Sequence, residues 1–79
     1  MRPQFWIILE LHCHLPEPDQ ASVWISGRPL SPDRALEEDV ARKLCGPLPW
    51  SAASQLAECL RAELEVAGLE VAVEYAADD

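Results

Sequence analysis

Residues 5–15 read FWIILELHCHL, and this stretch decides how the rest of the chain is interpreted. Its side chains alternate with the two-residue period of a β-strand. One face of the predicted strand carries only apolar side chains, namely Phe5, Ile7, Leu9, Leu11, Cys13 and Leu15. The opposite face carries Trp6, Ile8, Glu10, His12 and His14. We therefore expect a central strand whose apolar face is covered by helices.

The residues that follow predict a hairpin and then a helix. Residues 16–20 contain two prolines and an aspartate, which favour a turn, and residues 21–26 alternate as an antiparallel partner strand would. The sequence SPD at residues 31–33 is typical of a helix start, and the glycine and proline at residues 46–47 are typical of a helix end. The apolar stripe of this first helix would consist of Leu36, Val40 and Leu44.

The remaining residues predict a second helix and a third strand. Residues 52–67 have a wide apolar stripe, with Ser51 as the expected N-cap and Gly68 as the expected end. Residues 69–75 alternate as a strand, and residues 76–79 are expected to form a flexible acidic tail.

These elements predict a single small α+β domain spanning residues 1–79. It would be a two-layer sandwich in the order β-β-α-α-β, with both helices on one face of a three-stranded sheet. The sheet would be mixed or antiparallel, because the third strand can pair either parallel with the first or antiparallel with the second.

Charge and composition narrow the classes of function. The chain has 79 residues and a net charge of −8, with 14 acidic and 6 basic side chains. Such a surface repels phosphate backbones, so we expect no direct nucleic-acid binding. It favours a protein partner with a basic surface, including one that itself binds nucleic acid. The longest apolar run is far short of the ~20 residues of a membrane span, so no membrane contact is expected.

The cysteine pattern predicts a compartment. Cys13, Cys45 and Cys59 are widely spaced, and we expect them to be buried structural thiols. No secretion signal is recognised, so a reducing cytoplasm is the expected location. The richness in Ala, Leu, Glu, Arg and Pro favours a bacterial or phage origin.

The opposite face of the sheet is the first candidate site. Trp6, Ile8 and Trp24 would stand there without a covering helix, and exposed tryptophans are favoured interface anchors. Alternatively, the proline-rich loops bury this face within the monomer, or two copies meet through it. The acidic residues expected to assist partner binding are Glu37, Glu38, Asp39 and Glu58.

Glu10, His12 and His14 form a second, weaker candidate site. They share one strand face, and a His-x-His pair on a strand can bind Zn²⁺. The alternative is a pair of surface histidines that contact neighbouring carboxylates. We therefore expect no cofactor, no metal and no catalytic residue.

Residues 51–75 form an Ala/Leu/Glu-rich helix, a glycine and an alternating strand, a pattern that resembles the end of the C-terminal domain of the ribosomal stalk protein. The helices of that family present lysines to translation factors, whereas Glu58, Glu63 and Glu65 dominate here. The resemblance therefore implies a shared helix–glycine–strand unit and no shared function.

The expected function is that of a non-enzymatic acidic protein-binding domain, a small inhibitor or adaptor that docks on a larger protein. Small acidic bacterial and phage proteins of this build often act as inhibitors, for example anti-CRISPR proteins and toxin-immunity proteins, and this analogy suggests such a role. The alternatives are a homodimeric structural or accessory protein and a small metal-binding protein that uses the His-x-His pair.

Overall fold

The computed structural model describes residues 2–12, 16, 19–30, 36 and 39–78. Within them the element order is β-β-β-α-β. The elements are β1 (Gln4–His12), β2 (Gln20–Ser26), β3 (Ala41–Pro49), α1 (Trp50–Val66) and β4 (Glu70–Asp78). The four strands form one mixed sheet in the order β3-β2-β1-β4.

The central position predicted for the first strand is confirmed. β1 pairs antiparallel with β2 on one side and parallel with β4 on the other. Ile7, Ile8 and Leu9 follow one another along β1, and each is at most 2% exposed. Because consecutive side chains of a strand face opposite sides, both faces of the sheet are buried at its centre. The predicted strand continues through residues 13–15, which lie outside the described residues.

The expected two-helix, three-stranded fold is wrong, because the second half of the predicted first helix is a strand. Residues 41–49 form β3, which pairs antiparallel with β2. Without this pairing β2 would be an edge strand, although its side chains at Val23 and Trp24 are buried on opposite faces. The backbone hydrogen bonds between β2 and β3 stabilise the strand more than the weak helical pattern of Leu36, Val40 and Leu44 would stabilise a helix. Residues 31–35, 37 and 38 lie outside the described residues.

The predicted second helix is confirmed as α1, with its start two residues earlier. Pro49 stands at the N-cap, so the expected cap Ser51 lies inside the helix. Ala53 and Ala57 pack against Ile7, Leu9 and Val23, and this cluster is the main core. The small alanine side chains let the helix backbone approach the sheet closely.

The turn after α1 returns the chain to the sheet. Gly68 follows the helix with φ +94°, a left-handed conformation that glycine adopts readily, and the Leu69 N–H donates to the Leu64 carbonyl at 3.0 Å. β4 then runs to Asp78, beyond the strand expected at residues 69–75, and Ala76 is buried.

Gly46 is expected to be indispensable for the bulged part of β3. It has φ +116°, and a Cβ at this position would lie 2.6 Å from Ser22 Cα in β2. We expect Gly46→Ala to lower the free energy of unfolding by about 2–4 kcal/mol, because backbone strain and overpacking add. Urea denaturation checks this value. Gly27→Ala is the control, since no atom lies within 4 Å of the added Cβ, and equal stability of the two variants would contradict the expectation.

Candidate functional site

The sheet face opposite α1, called the far face here, is covered by the chain itself. Leu30 and Leu36 pack there against the buried cluster of Ile8, Trp24 and Ala76. The Leu30 N–H also donates to Glu74 Oε1 at 3.1 Å. Since Glu74 belongs to β4 and β2 ends at Ser26, residues 27–30 lead from β2 past β1 to β4.

The predicted exposure of the far-face anchors is therefore wrong for two of the three residues. Trp24 is 7% exposed and Ile8 is 1% exposed, as in the alternative of burial within the monomer. Trp6 is half-buried and keeps some accessible surface. Alternation assigns a side chain to a face of the sheet, but it does not reveal whether a connecting segment covers that face.

A polar network lies beside this apolar cluster. Trp24 Nε1 donates to Glu10 Oε1 at 3.0 Å, and His12 Nε2 is hydrogen-bonded to Ser22 Oγ at 2.7 Å. The Glu10 and His12 side chains are only 16% and 11% exposed, with 3.7 Å between Oε1 and Nε2. Within the described part of the chain, every buried side-chain nitrogen or oxygen has a partner. The network thus satisfies polar groups that the covered face would otherwise leave unpaired.

Among the described residues, the contacts of this network differ from those of a nucleophilic triad. In such a triad the serine and the carboxylate contact different ring nitrogens of the histidine. Here Ser22 and Glu10 both approach Nε2 of His12, and Ser22 is fully buried. The buried Ser22 hydroxyl therefore has no access to a substrate in this arrangement.

The structure adds no support for a metal site at Glu10, His12 and His14. No group of three or more His, Cys, Asp or Glu side chains suited to a metal occurs among the described residues. Glu10 is already an acceptor for Trp24, and His14 lies outside the described part of the chain.

The cysteines are only partly as expected. Cys45 is half-buried and packs against the main core, whereas Cys59 is exposed on α1. The expectation of a buried thiol is therefore wrong for Cys59, which sits at the margin of the helix stripe. Cys13 is not among the described residues.

Two of the four acidic candidate-site residues are described by the structure, and both are exposed. Asp39 is exposed in the turn before β3, and Glu58 is exposed on α1, while residues 37 and 38 lie outside the described part. Arg61 is bonded to Glu58 at 2.8 Å and lies 3.9 Å from Glu65. The hydrogen bond and the charge of Glu58, followed by the charge of Glu65, raise the pKa of Arg61.

Charge is distributed unequally between β3, at one edge of the sheet, and the elements α1 and β4, of which β4 forms the opposite edge. The described side chains of α1 and β4 include five carboxylates and one guanidinium. The carboxylates belong to Glu58, Glu63, Glu65, Glu70 and Glu74. At the other edge, β3 carries the exposed Arg42 and Lys43 and no acidic residue. This separation depends on the strand order, so sequence reasoning found the acidic residues but missed their arrangement.

A cleft of about 550 Å³ lies at the start of β1, where Phe5 and Ile25 face the first residues of β3. Its lining includes one carboxylate, Asp39, and one guanidinium, Arg42. These two charges are opposite in sign and do not define one ligand chemistry, so the cleft carries no assignment.

The comparisons with known proteins assign no relative. No family model, no curated protein and no solved structure matched the chain. Within residues 2–12, 16, 19–30, 36 and 39–78, no helix is both long enough and apolar enough to cross a membrane. The functional argument therefore starts from the surfaces of the domain.

Burial of Trp24 leads to a stability prediction. We expect Trp24→Ala to lower the free energy of unfolding by about 3–5 kcal/mol, because it removes a core side chain and its bond to Glu10. Trp6→Ala is the matched control and should cost only about 1 kcal/mol, since that indole is half-buried. Denaturation followed by far-UV circular dichroism measures both. A Trp24→Ala variant as stable as the wild type would show that the far face is open.

Proposed function

We propose that this chain is an acidic protein-binding domain that docks on a larger protein through the surface formed by α1 and β4. The separation of charge carries the proposal. Among the side chains that the structure describes on these two elements, five are carboxylates and one is an arginine, and that arginine is already engaged by Glu58 and Glu65. Glu58, Glu63 and Glu65 make the α1 side of the domain negative, and Glu70 and Glu74 add negative charge on the far-face side of β4, so a basic partner is complementary to both sides.

Exposure supports this surface over the far face. Glu58, Glu63 and Glu65 are all exposed on α1, and Glu70 is exposed on β4. Exposed charges of one sign accelerate the diffusional encounter with an oppositely charged partner, and salt weakens this effect. The far-face cluster, by contrast, is packed under Leu30 and Leu36.

The homodimer expected from the sequence would use the far face; the acidic side chains also disfavour a homodimer through α1. Two copies that met through this helix would bring together carboxylates of the same sign. Like charges across an interface are costly, so the same residues that attract a basic partner repel a second copy.

Neutralising the helix carboxylates is expected to weaken partner binding. The wild type and the triple variant E58Q/E63Q/E65Q are immobilised side by side and exposed to a host-cell lysate. A protein retained by the wild type alone is then purified and titrated by calorimetry. We expect a basic protein whose Kd rises about tenfold in the variant, because each exposed charge contact contributes about 0.5 kcal/mol. Its affinity should also fall as salt is raised.

The double variant R42Q/K43Q is the control for this experiment. It also changes exposed charges, but on the opposite edge of the sheet, so it should retain the wild-type affinity. Equal capture of all proteins by the wild type and the helix variant would contradict the proposal, as would loss of binding in the control alone.

A further inference from the structure

The two edge strands of the sheet differ in how well they are protected against pairing with another strand. β3 has two register shifts in its ladder with β2, between Ala21 and Val23 and between Val23 and Trp24. It also contains Pro47 and Pro49, which lack the N–H that a ladder needs. Bulges and prolines are devices that protect edges, so β3 is a poor template for a further strand.

β4 has none of these protective features. Its nine residues pair with β1 without any register shift, from Glu70 opposite Gln4 to Asp78 opposite His12. It contains no proline and no lysine. Among the described residues no strand lies on its outer side. β4 is therefore a long and regular edge without a bulge or a proline, and the charge of acidic side chains such as Glu70 disfavours its pairing with an acidic strand but not with a basic one.

The backbone groups available at this edge follow from the ladder. The Glu70 N–H donates to the Pro3 carbonyl at 2.9 Å, so residue 70 directs its N–H toward the β1 side. Successive residues of a parallel strand alternate in the direction of their backbone groups. The N–H and C=O groups of Val71, Val73 and Tyr75 therefore point away from β1.

The side chains along the edge define what a partner strand would meet. On the α1 side, Tyr75 is 51% exposed, and its ring centroid lies 6.0 Å from that of Trp50. On the far-face side, Glu70 is exposed and Glu74 accepts the hydrogen bond from Leu30. A partner strand would thus have an aromatic surface on one side and carboxylates on the other.

We propose that β4 receives an extended segment of a basic protein as a fifth strand of the sheet. This inference rests on the proposed function and specifies how its partner binds. Backbone hydrogen bonds would supply affinity, and alternate side chains would supply specificity. The segment alternates apolar residues, which contact Val73 and Tyr75, with lysine or arginine, which lie near Glu70 and Glu74.

A second copy of this chain is a poorer occupant of the edge. Antiparallel pairing of β4 with its own copy would place Glu70 and Glu74 next to the same two glutamates of the other copy. Like charges opposite one another in a sheet are destabilising. The β3 edge of another copy has the right charge, but its two register shifts interrupt a continuous ladder.

The test uses two fluorescein-labelled peptides of alternating lysine and valine, nine residues long to match β4. The second peptide has the same sequence with alternate backbone amides N-methylated, so its charge is unchanged and its ladder bonds are blocked. We expect fluorescence anisotropy to show that methylation weakens binding at least tenfold. Hydrogen exchange of the full chain should show new protection of the amides of Val71, Val73 and Tyr75 with the first peptide only.

Two variants make the test specific to the edge. Val73→Pro removes an outward-pointing N–H and should abolish the difference between the peptides, provided that circular dichroism shows a folded protein. Arg42→Gln, on the opposite edge, should leave both affinities unchanged. If Val73→Pro does not fold, the N-methylated peptide alone decides.

The outcomes separate this inference from the proposed function. Equal binding of the two peptides overturns strand addition at β4 and leaves a basic partner recognised by charge. Binding of neither peptide overturns strand addition, and the helix variant E58Q/E63Q/E65Q then decides the proposed function separately. Sedimentation of the peptide-free chain as a dimer or larger species, with the amides of β4 already protected, would show that a second copy occupies the edge.

Discussion

Burial of β1 on both faces is the constraint on which the rest of the structure depends. Ile7, Ile8 and Leu9 are adjacent in sequence and nearly inaccessible, so each side of the sheet needs its own cover. α1 covers one side, and Leu30 and Leu36, from the connection between β2 and β3, pack against the other. Because a chain of 79 residues is short, residues of a connecting segment bury the second face of the sheet.

Because the far face is covered, His12 and Trp24 make hydrogen bonds within the domain. A polar group buried without a partner is costly, and the indole N–H of Trp24 and the hydroxyl of Ser22 would be such groups. Glu10 and His12 satisfy them. Trp24, which the sequence pattern presents as an interface anchor, is thus a core side chain whose indole N–H is satisfied by Glu10.

The sequence predicted the elements that have strong local signals and missed those decided by distant contacts. The period of residues 5–15 and the helix ending at Gly68 identified β1, β2, α1 and β4. The helix expected at residues 31–46 failed because Val40 and Leu44 fit a helical stripe, while the need of β2 for a partner strand is invisible locally. The burial of Trp24 was missed for a related reason. The alternation of side chains does not reveal that Leu30 and Leu36, outside the strands, pack against it.

The parallel pairing of β1 with β4 has a consequence for how the chain reaches its native state. The two strands are separated by most of the sequence, and Gln4 must find Glu70 before the ladder can close. Contacts between such distant residues slow folding, because a long loop has to be ordered first. On a ribosome the hairpin of β1 and β2 would emerge well before β4, and until then one side of β1 would lack its neighbour.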